Sequence, residues 1–534
     1  MKKLKGALYG VVLGSLLLSG CSNEQSAAKD YELSDISFPV EEDVTLKFMT
    51  GSSPMAPEDP NDKLISQRLE EETGVHIEWD SYSGEAFVEK RNLAMSSGDF
   101  PDAIMNSGYS DYELLNLADD EAIIPVEDLI EDYMPNLQKV FEQAPEYKEM
   151  VTAPDGHIYS FPWIEELGTG KEKIQAVGGT GWINVKWLEE LGLEMPQTTE
   201  ELEEVLKAFR DQDPVGDGQT IPMSFILNGG QEDPAFLFGS FGVGDNWDHT
   251  VVTNDKKVVY TPTTNGYKEA INYFHGLYQE DLIDVEAFEQ DWNNYVAKGA
   301  NERYGVYFTW DKNNISGENY EMLPALEGPD GHKNVAISNA LGFDRSRMVI
   351  TSANQNLELT AKWIDQMYAP LQSVQNNWGT YGDEEKQNIF KYDEDEDMLK
   401  HMDLEGTAPV ELREQTALGG PLAILNSYFG EVTTMPDDAA WRLDLLHEKL
   451  VPYMNADYTY PNVFLQLEEL ETISKIEADL SPYVERKRSE WIVNGKVDEE
   501  WEAHLEEMDR LGLQEWMEIK QNAFDDYMES QEEK

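Results

Sequence analysis

Cysteine is almost absent from this chain of 534 residues, because Cys21 is the only one. Beyond that position a disulfide framework, a thiolate metal site and a thiol nucleophile are therefore excluded. Basic residues are also scarce, with 40 Lys and Arg against 105 Asp and Glu, which gives a formal net charge of −65. Such a field repels nucleic acid and anionic lipid head groups, so we expect neither as a partner.

Recognisable catalytic motifs are also missing. The sequence has no Gly-x-Ser-x-Gly elbow, no His-Glu-x-x-His pair and no Gly-x-x-x-x-Gly-Lys phosphate loop. Its eight histidines are scattered, and among 105 carboxylates any pair chosen for glycoside hydrolysis would be arbitrary. The sequence therefore predicts a protein that is not an enzyme.

The amino terminus has the pattern of a lipoprotein signal peptide. A short basic segment precedes an apolar run over residues 7–18, and Leu-Ser-Gly leads directly into Cys21. We predict that residues 1–20 are removed, that Cys21 carries the lipid and that residues 21–43 form a flexible tether. A plain cleaved signal and a transmembrane anchor are the alternatives, and the apolar run is short for a span.

The first part of the chain alternates short strands with amphipathic helices. Period-two alternation predicts the strands, and apolar residues three and four apart predict the helices. The predicted order is strand 44–49, helix 61–73 ended by Gly74, strand 75–79, helix 87–95 ended near Gly98 and strand 103–105. Strands that alternate with helices are typical of βαβ units, so we expect a parallel sheet.

The middle of the chain repeats this pattern, and the last part is mostly helical. Thr198 and Glu201 match a capping box, in which each side chain accepts a hydrogen bond from the other residue's main-chain amide. The predicted elements are strand 182–184, helix 185–191, helix 198–209, helix 263–278, strand 305–310 and a helix-rich part after residue 355 with an apolar stripe from Trp501 to Tyr527.

Aromatic residues are plentiful, with 13 Trp and 25 Tyr, and several lie in polar, loop-like surroundings. Aromatic rings can stack on the flat C–H faces of sugars, while nearby carboxylates and amides take the hydroxyl groups. For any single ring, a place in the core is the alternative interpretation. As a group they indicate a carbohydrate cleft, and the candidate ligand residues are Tyr82, Trp163, Trp247, Trp310, Trp378 and Tyr381.

One acidic loop has the alternating oxygen ligands that calcium prefers. Its candidate ligands are Asp213, Asp217 and Gln219. An EF-hand-like loop also needs a carboxylate at its end, but Ile221-Pro222 arrives first, and Val215 stands where an oxygen ligand belongs. A calcium site and an ordinary Asp-Gly turn therefore both remain open.

In this order, six segments make the chain resemble a known family. They are 91–102, 124–130, 154–162, 187–193, 277–284 and 501–527. The chain resembles family 1 of the extracellular solute-binding proteins of bacterial ABC importers, in particular the LipO and LplA-like lipoproteins of Gram-positive bacteria, and it is similar to alginate-binding proteins. In this family, the loop that matches the one beginning at Asp213 carries calcium. Here that loop is shorter, lacks the terminal Asp-Glu pair and has Val215 in place of Asn.

The resemblance implies an α/β fold of the type II periplasmic-binding-protein class. Its two lobes each have a mainly parallel sheet flanked by helices, and they close on ligand about a hinge. The expected organisation is 44–165 for the first part of the N-lobe, 166–335 for the first part of the C-lobe, 336–390 for a returning N-lobe segment and 391–534 for a helix-rich segment that packs mainly on the C-lobe.

The resulting hypothesis is a lipid-anchored receptor on the outer face of the cytoplasmic membrane. It would capture an oligosaccharide in the cleft between the lobes and deliver it to the permease of an ABC transporter, and we expect it to be a monomer. A surface-anchored carbohydrate-active enzyme and a sensor or adhesin without transport are the alternatives. Calcium is the one cofactor that the sequence suggests.

Overall fold

Two main sheets and two short strand pairs make up the β-structure of the described residues. The computed structural model describes residues 36–41, 43–168, 172–339, 342–404, 409–454 and 456–532, so the predicted signal peptide, Cys21 and most of the predicted tether lie outside the described residues. The strands are β1 Val44–Ser52, β2 Val75–Ser83, β3 Ala103–Met105, β4 Phe161–Glu165, β5 Thr180–Asn184, β6 Ile221–Met223, β7 Thr250–Val252, β8 Val258–Tyr260, β9 Tyr304–Thr309, β10 Tyr320–Met322, β11 Phe343–Ile350, β12 Phe390–Asp393, β13 Met398–His401 and β14 Leu422–Ile424.

Helices cover both sheets and dominate the end of the chain. The five helices predicted with bounds, over 61–73, 87–95, 185–191, 198–209 and 263–278, begin and end within a few residues of those bounds. They are α1 Leu64–Thr73, α2 Glu85–Ser97, α3 Asp111–Asp119, α4 Glu127–Tyr133, α5 Pro135–Gln143, α6 Pro145–Val151, α7 Val185–Leu191, α8 Thr199–Gln212, α9 Asn265–Gln279, α10 Trp292–Ala300, α11 Leu357–Met367, α12 Pro370–Trp378, α13 Pro409–Thr416, α14 Asp437–Lys449, α15 Leu467–Asn494, α16 Val497–Arg510 and α17 Leu513–Glu532.

The first sheet has six strands in the order β14-β4-β11-β3-β1-β2. β1 runs parallel to both β2 and β3, with Phe48 opposite Ala103, and the intervening helices α1 and α2 make the crossovers. The predicted parallel βαβ units are therefore confirmed. β11 returns from much later in the chain and lies antiparallel between β3 and β4.

The second sheet, in the order β10-β5-β9-β6, differs from the expectation of a mainly parallel sheet in each lobe. β5 is antiparallel to both of its neighbours, β9 and β10, and only the pairing of β6 with β9 is parallel. Strand and helix alternate along the sequence here too. The alternation does not reveal which distant strands will pair, or in which direction, because that choice depends on the packing of non-local side chains.

Two local predictions need correction. Thr198 accepts from the amide of Glu201 at 3.1 Å, as predicted. The Glu201 carboxylate, however, accepts from the amide of Gln197 at 2.7 Å and not from that of Thr198, so only half of the capping box forms. Residues 197–199 are drawn into a bridge with Glu327, which orients their amides. The stripe from Trp501 to Tyr527 also lies on two helices, α16 and α17, because the chain turns at 511–512.

The helix-rich end of the chain touches both sheets. In α15, Ile473 and Leu480 join the apolar cluster that contains Ile104 of β3, whereas Trp491 joins the cluster that contains Val306 of β9. β14 also joins the six-stranded sheet, beyond the predicted end of the returning N-lobe segment at residue 390. Segment 391–534 thus packs against both main sheets. The sequence predicted that it would pack mainly on the C-lobe.

No helix in the described part of the chain is both long enough and apolar enough to cross a membrane.

Candidate functional site

A cavity of about 420 Å³ is lined by residues attached to both main sheets. Four of the six predicted aromatic residues line it. Trp163 lies in β4 and Trp378 ends α12, which packs on β14, so both belong to the six-stranded side. Trp310 follows β9, and Trp247 lies in the loop before β7. Tryptophans therefore line the cavity from both sides, and Trp378 is the most buried of them, with its ring packed edge-on against His401.

The wall formed by the six-stranded sheet is fixed by side-chain hydrogen bonds. The carboxylate of Glu165 accepts from Asn377 Nδ2 at 2.6 Å and from Gln175 Nε2 at 2.9 Å. Asn377 Oδ1 in turn accepts from the indole nitrogen of Trp163 at 3.3 Å, and the Arg347 guanidinium lies 5.7 Å from the centre of that ring. The orientation of Trp163 is thus set before any ligand binds.

On the other side, Trp310 stacks beneath a buried arginine. The Arg442 guanidinium carbon lies 3.8 Å from the centre of the Trp310 ring, a cation–π contact. Arg442 donates to the carbonyl oxygens of Val177 at 3.1 Å, Gly178 at 2.7 Å and Trp310. Burial lowers the pKa of Arg442 to about 9, opposed by the charge of Asp311, so it stays charged at neutral pH.

Trp247 is the exposed ring of the site, with 63% of its surface accessible. The two residues before it, Asp245 and Asn246, are buried and hydrogen-bonded. Asp245 lies 2.9 Å from Nδ1 of His249 and accepts from the hydroxyl of Thr261, and Asn246 Nδ2 donates to the carbonyl of Thr250 at 2.7 Å. Burial alone would raise the pKa of Asp245, but His249 holds it below its usual range. An exposed aromatic ring is thus presented on a rigid loop.

A buried ion pair fastens the next part of the wall, which we call the 228–235 turn. Asp233 accepts main-chain hydrogen bonds from Asn228 at 2.7 Å and from Ala235 at 2.8 Å. Both terminal nitrogens of Arg488, in α15, donate hydrogen bonds to the same carboxylate, at 2.7 and 2.8 Å. Both side chains are nearly fully buried. The helix-rich end of the chain therefore holds the cavity wall in place.

The chain segment between β4 and β5 also touches the 228–235 turn, through Gly179. A Cβ atom on Gly179 would lie only 1.5 Å from the carbonyl oxygen of Gln231. Both residues line the cavity. Only glycine allows this approach of two main chains, so the contact fixes the floor of the cavity.

The charge of the cavity lining is predominantly negative. Its acidic residues are Glu165, Asp233, Asp245, Asp311 and Asp438, and its basic residues are Arg413 and Arg442. Burial raises the pKa of Asp311, and nearby Asp438 raises it further. Carboxylates and amides suit the hydroxyl groups of a neutral ligand, whereas an anionic ligand would be repelled.

Two of the predicted aromatic residues lie outside this cavity. Tyr82 is in β2 and packs beside the apolar cluster of the first sheet. Tyr381 stacks on Tyr392, with ring centres 5.4 Å apart, and the Arg68 guanidinium lies 4.6 Å from its ring. Both tyrosines are partly exposed and have protein partners for their rings, so neither contributes to the lining of this cavity.

Sequence reasoning missed the polar residues of the cavity. For Arg442 a signal existed, because it shares the buried face of α14 with Ala439, Leu443 and Leu446. A charged residue at an apolar position of a helix needs a partner, and here it finds main-chain carbonyls and an indole ring. Asp233 gave no such signal, because its charged partner Arg488 lies 255 positions away in the chain, whereas the partner of Asp245, His249, is only four positions away.

The candidate calcium ligands do not come together as a cation site. Asp213 uses its carboxylate to accept the amides of Gly218 at 2.7 Å and Thr220 at 3.2 Å. Among the described residues there is no group of three or more His, Cys, Asp or Glu side chains placed to bind a metal ion. The donors of this loop thus do not fit calcium.

The family model of bacterial extracellular solute-binding proteins matches residues 58–373. The chain belongs to this family. It is 58% identical over 516 residues, 96% of each chain, to the fructooligosaccharide ABC transporter substrate-binding protein FusA of Streptococcus pneumoniae. It is also 24% identical to lipoprotein LipO of Bacillus subtilis, over 69% of this chain and 71% of LipO.

Solved structures of FusA match the whole fold. FusA in complex with kestose is 59% identical, with a TM-score of 0.89, and the match covers 91% of this chain and 100% of that one. An EF-hand mutant of FusA in complex with fructo-nystose matches equally well. The two-lobed α/β fold predicted from the sequence is confirmed, and so is membership of the solute-binding proteins of ABC importers.

Proposed function

We propose that this protein captures a neutral oligosaccharide of the fructose-containing class, such as kestose, and delivers it to an ABC permease. The observation that carries the proposal is the ring of four tryptophans around a cavity of about 420 Å³. That volume is within the ordinary range for small-molecule sites. The high identity to FusA, which is described as a fructooligosaccharide-binding protein, supports the same ligand class.

The charge of the cavity favours a neutral sugar over an acidic one. Five carboxylates and two arginines line it, and the whole chain has a net charge of −65. A uronic acid oligomer would bring further negative charge against this field. A neutral fructan can instead donate its hydroxyl protons to Asp311 and Asp438, in charge-assisted hydrogen bonds, because Asp233 and Asp245 are already engaged by Arg488 and His249.

Closure of the lobes follows from the position of the rings. Trp163 lies in the six-stranded sheet and Trp378 ends α12, which packs on that sheet, while Trp310 follows β9 of the four-stranded sheet and Trp247 lies in the loop before β7. A ligand that contacts both sets binds the closed arrangement better than the open one, and so shifts the population towards it. We propose that the permease recognises this closed form.

Titration calorimetry with purified protein tests the ligand class. We expect saturable binding of kestose and no binding of trigalacturonate at the same concentration. The Tm should also rise when kestose is added, because ligand at about a hundredfold excess over Kd adds about 2.7 kcal/mol to the free energy of unfolding. Binding of trigalacturonate but not kestose would refute the neutral-sugar proposal, and binding of neither would refute the assignment to sugars of this kind.

We also propose that the captured sugar is left intact. Kestose incubated with the protein overnight should be recovered unchanged by chromatography, whereas a hydrolase would release fructose. If fructose is released by the wild type but not by Glu165→Gln, a variant of a cavity residue, the enzyme alternative is established. Unchanged kestose together with saturable binding supports a receptor.

Membrane attachment through Cys21 completes the proposal. The sequence around Cys21 matches a lipoprotein signal, and the relative LipO is described as a lipoprotein. Cys21→Ala should release the protein from the cell surface and impair sugar uptake, while the affinity of the soluble protein for kestose stays the same. Retention of the variant in the membrane fraction would contradict lipid attachment at this residue.

A further inference from the structure

The turn at residues 213–220, between α8 and β6, is closed by its own hydrogen bonds. Both oxygens of Asp213 are used, one by the amide of Gly218 at 2.7 Å and the other by the amide of Thr220 at 3.2 Å. The hydroxyl of Thr220 accepts from the amide of Val215 at 3.1 Å. A carboxylate engaged in this way has its strongest acceptor directions occupied by the main chain.

Another oxygen of this turn accepts a hydrogen bond from a guanidinium group. Arg303 Nε donates to the carbonyl oxygen of Gln219 at 3.0 Å, while the carbonyl of Arg303 accepts from the amide of Ile221 at 2.8 Å. In an EF-hand-like loop, one main-chain carbonyl and several side-chain oxygens point at the cation. Here the carbonyl that follows Asp217 and Gly218 points at a permanent positive charge of the protein itself.

The remaining oxygens of the segment are too few to complete a calcium shell. Val215 contributes an apolar, partly exposed side chain. Asp211 is paired with Arg210, with 2.7 Å between Oδ1 and Nε. Calcium takes six to eight oxygen ligands, and Asp217 alone cannot replace the two carboxylates that are otherwise engaged.

We propose that Asp213, Thr220 and Arg303 fasten the 213–220 turn in place of a bound calcium ion, so that the fold of this protein is independent of calcium. The arginine supplies the positive charge that the cation would supply, and the Thr220 hydroxyl and amide close a turn too short to wrap an ion. This sets the chain apart from FusA, for which an EF-hand mutant structure exists.

Calcium dependence of the thermal denaturation of the full-length protein tests the proposal. We expect the same Tm, within about 1 °C, in excess EGTA and in calcium at about 1 mM, the range in which weak extracellular sites bind. Calorimetric titration with calcium chloride should give no binding heat. A higher Tm in calcium, or a saturable binding isotherm, would overturn the proposal.

The variant Arg303→Gln tests the part played by the guanidinium, with Lys186→Gln on the exposed surface of α7 as its matched control. Arg303→Gln should lower Tm by the same amount in EGTA and in calcium, whereas the control should leave Tm unchanged. If calcium restores the Tm of Arg303→Gln, the turn is a latent cation site and calcium independence is wrong. An unchanged Tm in this variant would show that Arg303 does not fasten the turn. Neither result depends on sugar binding.

Discussion

The 213–220 and 228–235 turns use the same chemistry in different surroundings. In each, one aspartate accepts two main-chain amides, and an arginine from a distant segment supplies positive charge. Asp233 and its partner Arg488 are nearly fully buried, whereas the 213–220 turn lies at the surface. The 228–235 turn, which holds this buried pair, lines the cavity, and the 213–220 turn does not.

The difference shows what burial does to the same bonds. A buried carboxylate that loses its partner has no water to replace it, so the pair at Asp233 must stay intact for the wall to stay folded. Around Asp213, water can take over each lost hydrogen bond, and salt screens the charges. We therefore expect the binding site to be far more sensitive to mutation than the exposed turn.

The largest effect is expected for Arg488→Met, which keeps the bulk of the side chain but leaves Asp233 buried and unpaired. The free energy of unfolding should fall by about 3–5 kcal/mol, measured by guanidinium denaturation. Arg486→Met on the same helix is the control, since Arg486 is exposed and its pair with Glu490 is worth at most about 0.5 kcal/mol. Equal losses in the two variants would refute the special role of burial.

The next effect depends on pH and concerns Glu232, inside the 228–235 turn. Burial raises the pKa of Glu232 to about 7, and a hydrogen bond from Thr309 only partly offsets this rise. The folded state therefore binds the proton more tightly than the unfolded chain. Protonated Glu232 therefore favours the folded state, and this contribution is fully present below about pH 4. As the pH rises towards 7 the contribution is lost, and the free energy of unfolding falls by about 3 kcal/mol.

Glu232→Gln should remove that loss. The variant should gain stability relative to the wild type between pH 4 and pH 7, in denaturation curves recorded about every half unit. Glu190→Gln, on the exposed surface of α7, should show no such gain. A wild-type-like pH dependence in Glu232→Gln would show that this carboxyl is solvated in the folded protein.

A smaller effect, on ligand affinity rather than stability, is expected for Trp247→Ala. Because the ring is exposed, its loss should scarcely change the denaturation midpoint. Affinity for kestose should nevertheless fall about 10- to 100-fold, the usual cost of removing an aromatic anchor. Tyr527→Ala removes a partly exposed ring on α17 outside the cavity and should bind kestose normally. Unchanged affinity in Trp247→Ala would exclude Trp247 from the site.

The smallest effect is expected for Asp213→Asn, the counterpart of the Arg488 change in the exposed turn. The amide oxygen can still accept one of the two main-chain hydrogen bonds, and water can replace the other. The free energy of unfolding should fall by less than about 1 kcal/mol, and by the same amount with and without calcium. A loss as large as that of Arg488→Met would mean that the exposed turn is as critical as the buried one.

Much of the local structure could be predicted from the sequence. Helices α1 and α2 end at Gly74 and Gly98, as predicted, because both glycines adopt positive φ. Four of the six candidate aromatic residues line the cavity, chosen only for their polar, glycine-containing surroundings. The antiparallel neighbours of β5 could not be predicted, because strand direction is decided by contacts between distant segments.

The sequence by itself determined the family, the α/β alternation, the acidity of the surface and the shortness of the 213–220 turn, since each is a matter of residue order or composition. Only the tertiary structure decided which buried charged groups find partners, and which partners these are. Asp233 lies 255 positions from Arg488 in the chain, and Arg442 lies 132 from Trp310. Packing alone brings such residues together, and the desolvation of their charges then makes the pairs indispensable.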